Sequence, residues 1–154
     1  MSIPLFAPRW LDAGRLALGP APRTLAHLQR LQQEGIVAML SLCSTLEAPP
    51  PPEQEPMFAC RRLVLPDRHT NRPLERSELD QAMALLKELQ AYGAVYVHCK
   101  AGVERSPLLC VLWVMREWRL PLQEALEYVQ DVNPASCPLA DHLGCLRAWG
   151  AGDP

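Results

Sequence analysis

No stretch of this sequence is long and apolar enough to cross a bilayer. The longest apolar run, residues 107 to 115, is less than half of the roughly 20 residues that a spanning helix needs. The opening MSIPLFAPRW lacks the basic, then apolar, then small-residue order of a secretory signal, so the expectation is a cytoplasmic protein without a membrane partner. An excess of charge of one sign is missing too. Fifteen Lys and Arg against 17 Asp and Glu give a net charge of -2, and the signs are interspersed. That leaves no basic stripe for a nucleic acid. The six cysteines, at 43, 60, 99, 110, 137 and 145, include no C-x-x-C pair. Cys137, His142 and Cys145 come nearest to a metal cluster but lack a fourth ligand, so they read as helix-face residues and no metal is expected. With no signal peptide and enough apolar residues for a core, reduced thiols are the reading, not a disulfide scaffold. A G-x-x-x-x-G-K-[ST] loop is absent, which excludes that class of nucleotide site.

What is present suits one domain spanning 1–154, since 49% of the 154 residues are hydrophobic. The sixteen prolines concentrate early and in EAPPPPEQEP (47–56), a stretch read as a solvated loop between two strands. Around it the periodicity alternates. TLAHLQRLQQEG carries Leu25, Leu28 and Leu31 and closes on Gly35, as an amphipathic helix does. IVAMLSLC (36–43) is a strand buried on both faces, MFACRRLVL (57–65) a second strand, and AVYVHC (94–99) a third. Between them, residues 74–93 place Leu79, Met83, Leu86 and Leu89 on one helical face. Residues 105–118 are apolar nearly all round, as in a helix through a core, where Trp113 and Trp118 belong. Two more helices are expected over 120–132 and 138–149, the latter ending at Trp149. Strands alternating with helices predict an α/β fold, a mostly parallel sheet of four to five strands covered on both faces. Ligands bind such sheets at the carboxyl ends of the strands.

At one of those ends stands HCKAGVERSP (98–107). A thiol there, facing the start of the next helix, meets unpaired N–H groups and the positive end of the helix dipole, which favour the nucleophilic thiolate of Cys99. Lys100, Ala101, Gly102, Val103 and Glu104 can curl so that their amides form an anion nest, with Gly102 supplying the tight turn. Arg105 adds a planar fork that holds two phosphate oxygens at once.

In these residues the chain resembles the protein tyrosine phosphatase superfamily, whose signature H-C-x5-R-[ST] is matched by His98, Cys99, Arg105 and Ser106. RLALGPAPRTLAHLQRLQQEGIVAMLSLC is similar to the opening of its small dual-specificity branch, and the resemblance runs over nearly the whole chain. It implies hydrolysis of phosphomonoesters without a cofactor. Cys99 would form a cysteinyl-phosphate, with Arg105 and the loop amides holding the equatorial oxygens. Ser106 would assist the departing sulfur and His98 would support the loop. The general acid is expected at Asp67, in LPDRH just past a strand, with Glu53, Glu55 and Asp80 as rivals. Arg68 and His69 would flank the substrate mouth, while Arg61 and Arg62 read as solvated surface charges. Cys43, closing its strand, is a candidate redox partner for Cys99 by the same resemblance. The expected partner is a phosphorylated protein or peptide. A phosphatase of phosphoinositides, glucans or other non-protein esters and a catalytically silent phospho-binding module stay open. The oligomeric state is not encoded legibly, and a monomer is the simpler expectation. Glu104 departs from the small residue many relatives carry before the arginine, and is expected either to turn outward and pair with a basic side chain or to weaken binding of strongly anionic substrates. Pro107 also departs from the common pattern.

Overall fold

The computed structural model describes residues 5–149, so the first four and last five residues of the expected domain lie outside the described residues. Its sheet has five strands in the order β1-β2-β5-β3-β4. They are β1 (Arg9–Asp12), β2 (Leu16–Gly19), β3 (Ile36–Ser41), β4 (Ala59–Arg62) and β5 (Ala94–His98). All neighbours pair in parallel except β1, which runs antiparallel to β2 at the edge. This is the α/β arrangement that the alternating periodicity predicts.

β5 is the central strand and all five of its residues are buried. Alternation along it sends Val95, Val97 and Cys99 into one packing layer and Ala94 and Tyr96 into the other. Helix α1 (Leu25–Gln33) covers the Tyr96 side with Leu28 and Leu31. Thr24 caps it by accepting the His27 N–H at 3.2 Å, and Gly35 (φ +90°) turns the chain into β3. The other face carries α3 (Arg76–Gln90), α4 (Arg105–Glu117), α5 (Leu122–Val132) and α6 (Ala140–Trp149). Residues 105–115 of α4 are all buried, so the helix runs through the core as its apolar circumference requires. Among the described residues no helix is long and apolar enough to cross a membrane.

Four local readings change. The Pro-rich stretch is not wholly irregular: it ends in a single helical turn, α2 (Gln54–Met57). Pro56 is tolerated there because the first N–H groups of a helix have no intrahelical acceptor to lose. The strand expected over 57–65 contracts to β4, since α2 takes up Met57 and the ladder then loosens. Leu63 and Leu65 still donate to Ser41 O and Leu42 O, but Pro66 has no N–H to continue. Val37 is exposed in a strand expected to be buried throughout, because a bulge between Ile36 and Ala38 leaves it out of register. Cys137 precedes α6 instead of lying on its face.

Candidate active site

The four parallel strands end along one edge of the sheet, and the loop from β5 to α4 lies there. Its shape follows from where its carbonyls go. Lys100 O accepts the Ala21 N–H at 3.1 Å, Gly102 O accepts Asn133 Nδ2–H at 3.1 Å, and Val103 O accepts the Cys137 N–H at 2.6 Å. With three carbonyls tied outward, the loop is left to turn amides toward its concave side. Gly102 has φ +74°, and a Cβ there would meet the backbone of Gly19 and Pro20 at 2.8–2.9 Å. Both facts demand glycine.

The loop walls a cavity of about 510 Å³ lined by Cys99, Lys100, Ala101, Val103, Glu104 and Arg105 on one side, with Asp67, Arg68, His69 and Thr70 across from them. Gly102 is buried behind that wall, so of the residues expected to bind phosphate it alone does not line the cavity. Cys99 Sγ stands 3.4 Å from Ser106 Oγ, a distance at which the hydroxyl can donate to a thiolate.

His98 is buried beneath the loop. Burial drives its pKa down to about 4, so the ring is neutral near pH 7. Its tautomer then follows from its neighbours. Nδ1–H donates to the Cys99 carbonyl at 3.2 Å, and Nε2 accepts from Ser41 Oγ–H at 2.7 Å. The imidazole is a strut that joins β3 to the residue bearing the thiol. Its linkage has a definite sign. The unfolded chain binds a proton at this residue below about pH 6.5 and the folded chain only below about 4, so stability falls as pH drops through that window. Urea unfolding at pH 5 and pH 7 is expected to show about 2 kcal/mol less stability at pH 5 from this residue. His98→Asn should remove that share; an unchanged pH difference in the variant would refute the assignment.

Arg105 is buried, with a side chain 4% exposed, and is held from several directions. Nη2 donates to Glu47 Oε1 at 2.7 Å, while Nη1 reaches Glu47 Oε2 and Leu65 O at 3.3 Å and Leu42 O at 3.4 Å. Both terminal nitrogens are thus engaged by Glu47 and two backbone carbonyls, while the residue lines the cavity. Glu47 is the residue that sequence reasoning missed, having been placed in the proline loop. Hydrogen bonds from Arg105, outweighing burial, hold its carboxyl at about 2. It also accepts the Ser44 N–H at 2.8 Å while its own N–H donates to Ser44 Oγ at 3.1 Å. That reciprocal pair is the S-x-x-E pattern, and Ser44-Thr45-Leu46-Glu47 was the local signal available for it. Ser41 and Asn133 were also missed, and each is recognisable only from its buried polar partner.

Asp67 lies on the loop after β4 and lines the cavity. Its Oδ1 accepts the His69 N–H and the Thr70 Oγ–H, each at 2.9 Å, and its Oδ2 faces Arg105 Nη2 at 3.6 Å. Burial pushes its pKa up, but the bonds from Thr70 and His69 and the Arg105 charge together bring it below the usual carboxylate value. The rivals are elsewhere. Glu55 lies on α2, Glu53 precedes it, and Asp80 pairs with Arg76 and Arg116 on the α3–α4 surface. Glu104 does pair with a basic residue, Arg68, yet it is not turned out to solvent: its side chain is 11% exposed. Arg62 is not a solvated charge, because it donates to the Cys43 carbonyl, whereas Arg61 pairs with Glu88 at the surface. Cys43 packs with Ala21 and Ala48 in a cluster that does not contain Cys99. Burial raises its thiol pKa, outweighing the opposing charges of Arg105 and Arg62.

Comparison with known proteins agrees with this geometry. The family model described as "Dual specificity phosphatase, catalytic domain" matches residues 18–151. The chain is 28% identical over 125 residues to dual specificity protein phosphatase 16 of Homo sapiens, covering 80% of this chain and 18% of that protein. It spans between 15% and 37% of the length of the first curated relatives it matches. Among solved structures, Tk-PTP in its active form superposes with a TM-score of 0.80 at 21% identity, covering 96% of this chain and 98% of that one. The human tyrosine phosphatase-like serine/threonine/tyrosine-interacting protein gives 0.80 at 24%, covering 96% and 97%. With the family model matching residues 18–151, which take in β3, β4, β5 and the loop that shapes the cavity, the chain belongs to the dual specificity phosphatase catalytic-domain family.

Proposed function

We propose that this chain is a cysteine-dependent phosphomonoester hydrolase acting on phosphotyrosine proteins or peptides, with or without phosphoserine and phosphothreonine. One observation carries the reading: the Cys99 thiol, the buried Arg105 guanidinium and the Asp67 carboxyl line one cavity, with Arg105 and Asp67 3.6 Å apart. In the first step the Cys99 thiolate attacks phosphorus in line. The S–P bond forms, the bond from phosphorus to the ester oxygen breaks, and Asp67 gives its proton to that oxygen. In the second step water attacks phosphorus and the S–P bond breaks. Asp67 takes the water's proton, and the Ser106 hydroxyl donates to the departing thiolate. Inorganic phosphate leaves.

Asp67 must be protonated for the first step, although its surroundings hold it ionised. A phosphate dianion seated on Arg105 offsets the positive charge that depresses Asp67 and adds negative charge beside it, and both effects raise its proton affinity. Protonation of the acid is thereby coupled to arrival of the substrate. Val64, 41% exposed and lining the cavity, offers an apolar wall to an aromatic ring. That favours aryl phosphates. Phosphoinositides are disfavoured, because Glu104 sits in the loop and its charge is matched to Arg68, leaving Lys100 as the additional cation of the cup.

The test is a substrate panel assayed in EDTA: p-nitrophenyl phosphate, phosphotyrosine and phosphoserine peptides, and a soluble phosphoinositide. Turnover of the aryl phosphates undiminished by EDTA is expected, with the phosphoinositide slower by at least about tenfold, the scale of 1.4 kcal/mol of lost transition-state binding. Faster phosphoinositide turnover would transfer the reading to lipids. Phosphate binding without turnover of any ester would make the chain a phospho-binding module.

A further inference from the structure

The loop that carries Asp67 has no regular secondary structure between β4 and α3, and residues 68–73 are all exposed. Little apolar burial holds it, so its polar contacts decide where the carboxyl stands. Two of these are internal or remote from the cavity: the Asp67–Thr70 turn, and Arg72, which pairs with both carboxylate oxygens of Glu78 at 2.8 Å. Two others cross to the signature loop. One is the 3.6 Å pair between Asp67 and Arg105, which a bound phosphate weakens by taking the Arg105 charge for itself. The other is formed by Glu104. Its Oε1 forms an ion pair with Arg68 Nε at 3.2 Å and its Oε2 accepts the Arg68 main-chain N–H at 3.3 Å.

We propose that Glu104 is a positioning residue, clasping the acid loop to the signature loop so that Asp67 stays over the scissile oxygen once substrate has occupied Arg105. The contact joins the immediate neighbours of the two groups it coordinates, since Glu104 precedes Arg105 and Arg68 follows Asp67. Its hydrogen bond is to the backbone, so it fixes the path of the loop and not only the Arg68 side chain. Glu104 is largely shielded from water, so the pair is screened less than an open surface ion pair. The clasp also accounts for a carboxylate in an anion cup: paired with Arg68, it opposes the incoming dianion less.

This inference rests on the reading of Asp67 as general acid, and the experiment separates the two. Steady-state kinetics are measured for the unaltered protein, Glu104→Ala, Asp67→Asn and the double variant. Two esters are compared: phenyl phosphate, whose leaving oxygen needs a proton, and p-nitrophenyl phosphate, whose leaving oxygen needs it less. Alanine keeps the backbone N–H of residue 104 and removes the carboxylate with its methylene. Glu104→Ala is expected to lower kcat about tenfold on phenyl phosphate and less than about threefold on p-nitrophenyl phosphate, with KM nearly constant. In the Asp67→Asn background it should cost nothing further. Arg68→Ala alters a side chain 67% exposed and leaves the backbone bond, so it should show the same pattern more weakly without endangering the fold. Equal losses on both esters, or a loss that persists without Asp67, would overturn the clasp. Should Asp67→Asn itself fail to discriminate between the esters, the acid assignment falls, and the clasp has nothing to position.

Discussion

Replacing Cys99 by serine is expected to reduce hydrolysis of p-nitrophenyl phosphate by about 100,000-fold or more, the usual scale for loss of a covalent nucleophile. Phosphate affinity should stay within about threefold, because this substitution leaves Arg105 and the loop amides in place and affinity changes of that size correspond to under about 1 kcal/mol. The asymmetry is the point. A serine hydroxyl fills nearly the same space as the thiol and disturbs neither the three outward-tied carbonyls nor the His98 strut. It has no accessible anionic form near neutral pH, so the cup still seats the phosphoryl group and the bond to phosphorus does not form. Calorimetric titration with inorganic phosphate and steady-state kinetics on one preparation read the two effects separately. Residual turnover within about a hundredfold of the unaltered protein would mean that water attacks directly, and the cysteinyl-phosphate route would be wrong.

Arg105→Lys is the second large effect. It should lower kcat/KM by about 1,000-fold, in the range seen when a preorganised transition-state donor is lost. The charge survives the change; the geometry does not. Arg105 gives its terminal nitrogens to Glu47 and two backbone carbonyls while it also lines the cavity. A lysine ammonium has three donors on one point and cannot serve the Glu47 carboxylate, Leu42 O, Leu65 O and two phosphoryl oxygens together. Some of these buried acceptors then lose their partner, so a loss of about 1–3 kcal/mol in urea unfolding should accompany the kinetic defect. Near-normal kcat/KM in the lysine protein would show that charge alone suffices, and would discount the Glu47 anchor as part of the machinery.

The parts of this site legible in the sequence are those in which neighbouring residues act through their own backbone. Cys99, Arg105 and Ser106 lie within one turn of loop and the first turn of α4. The apolar run of β5 before them and the wholly apolar α4 after them announce a buried strand leading into a buried helix. Thr24, with its cap on α1, and Gly35, with its positive φ, mark helix ends in the same local way. Asp67 was findable because a proline after a strand signals a loop at the sheet's carboxyl edge. Strand β1 was not, since four residues of weak alternation before a turn at Gly14 resemble any irregular N-terminal segment.

Tertiary structure alone decided the rest, and the reason is the range of the forces involved. Periodicity, capping and turn chemistry act over a few residues, so they are written where they act, and from them the sequence by itself determined the α/β order and the place of Cys99 and its loop between β5 and α4. Glu47 meets Arg105 across 58 residues, Asn133 meets Gly102 across 31, and Glu104 meets Arg68 across 36. Such charge and hydrogen-bond pairings carry no periodic trace, because either partner alone reads as an ordinary polar residue in a loop. Only when β3, β4 and β5 end side by side do the three connecting loops meet, and burial there makes each unpaired group costly enough to require its partner.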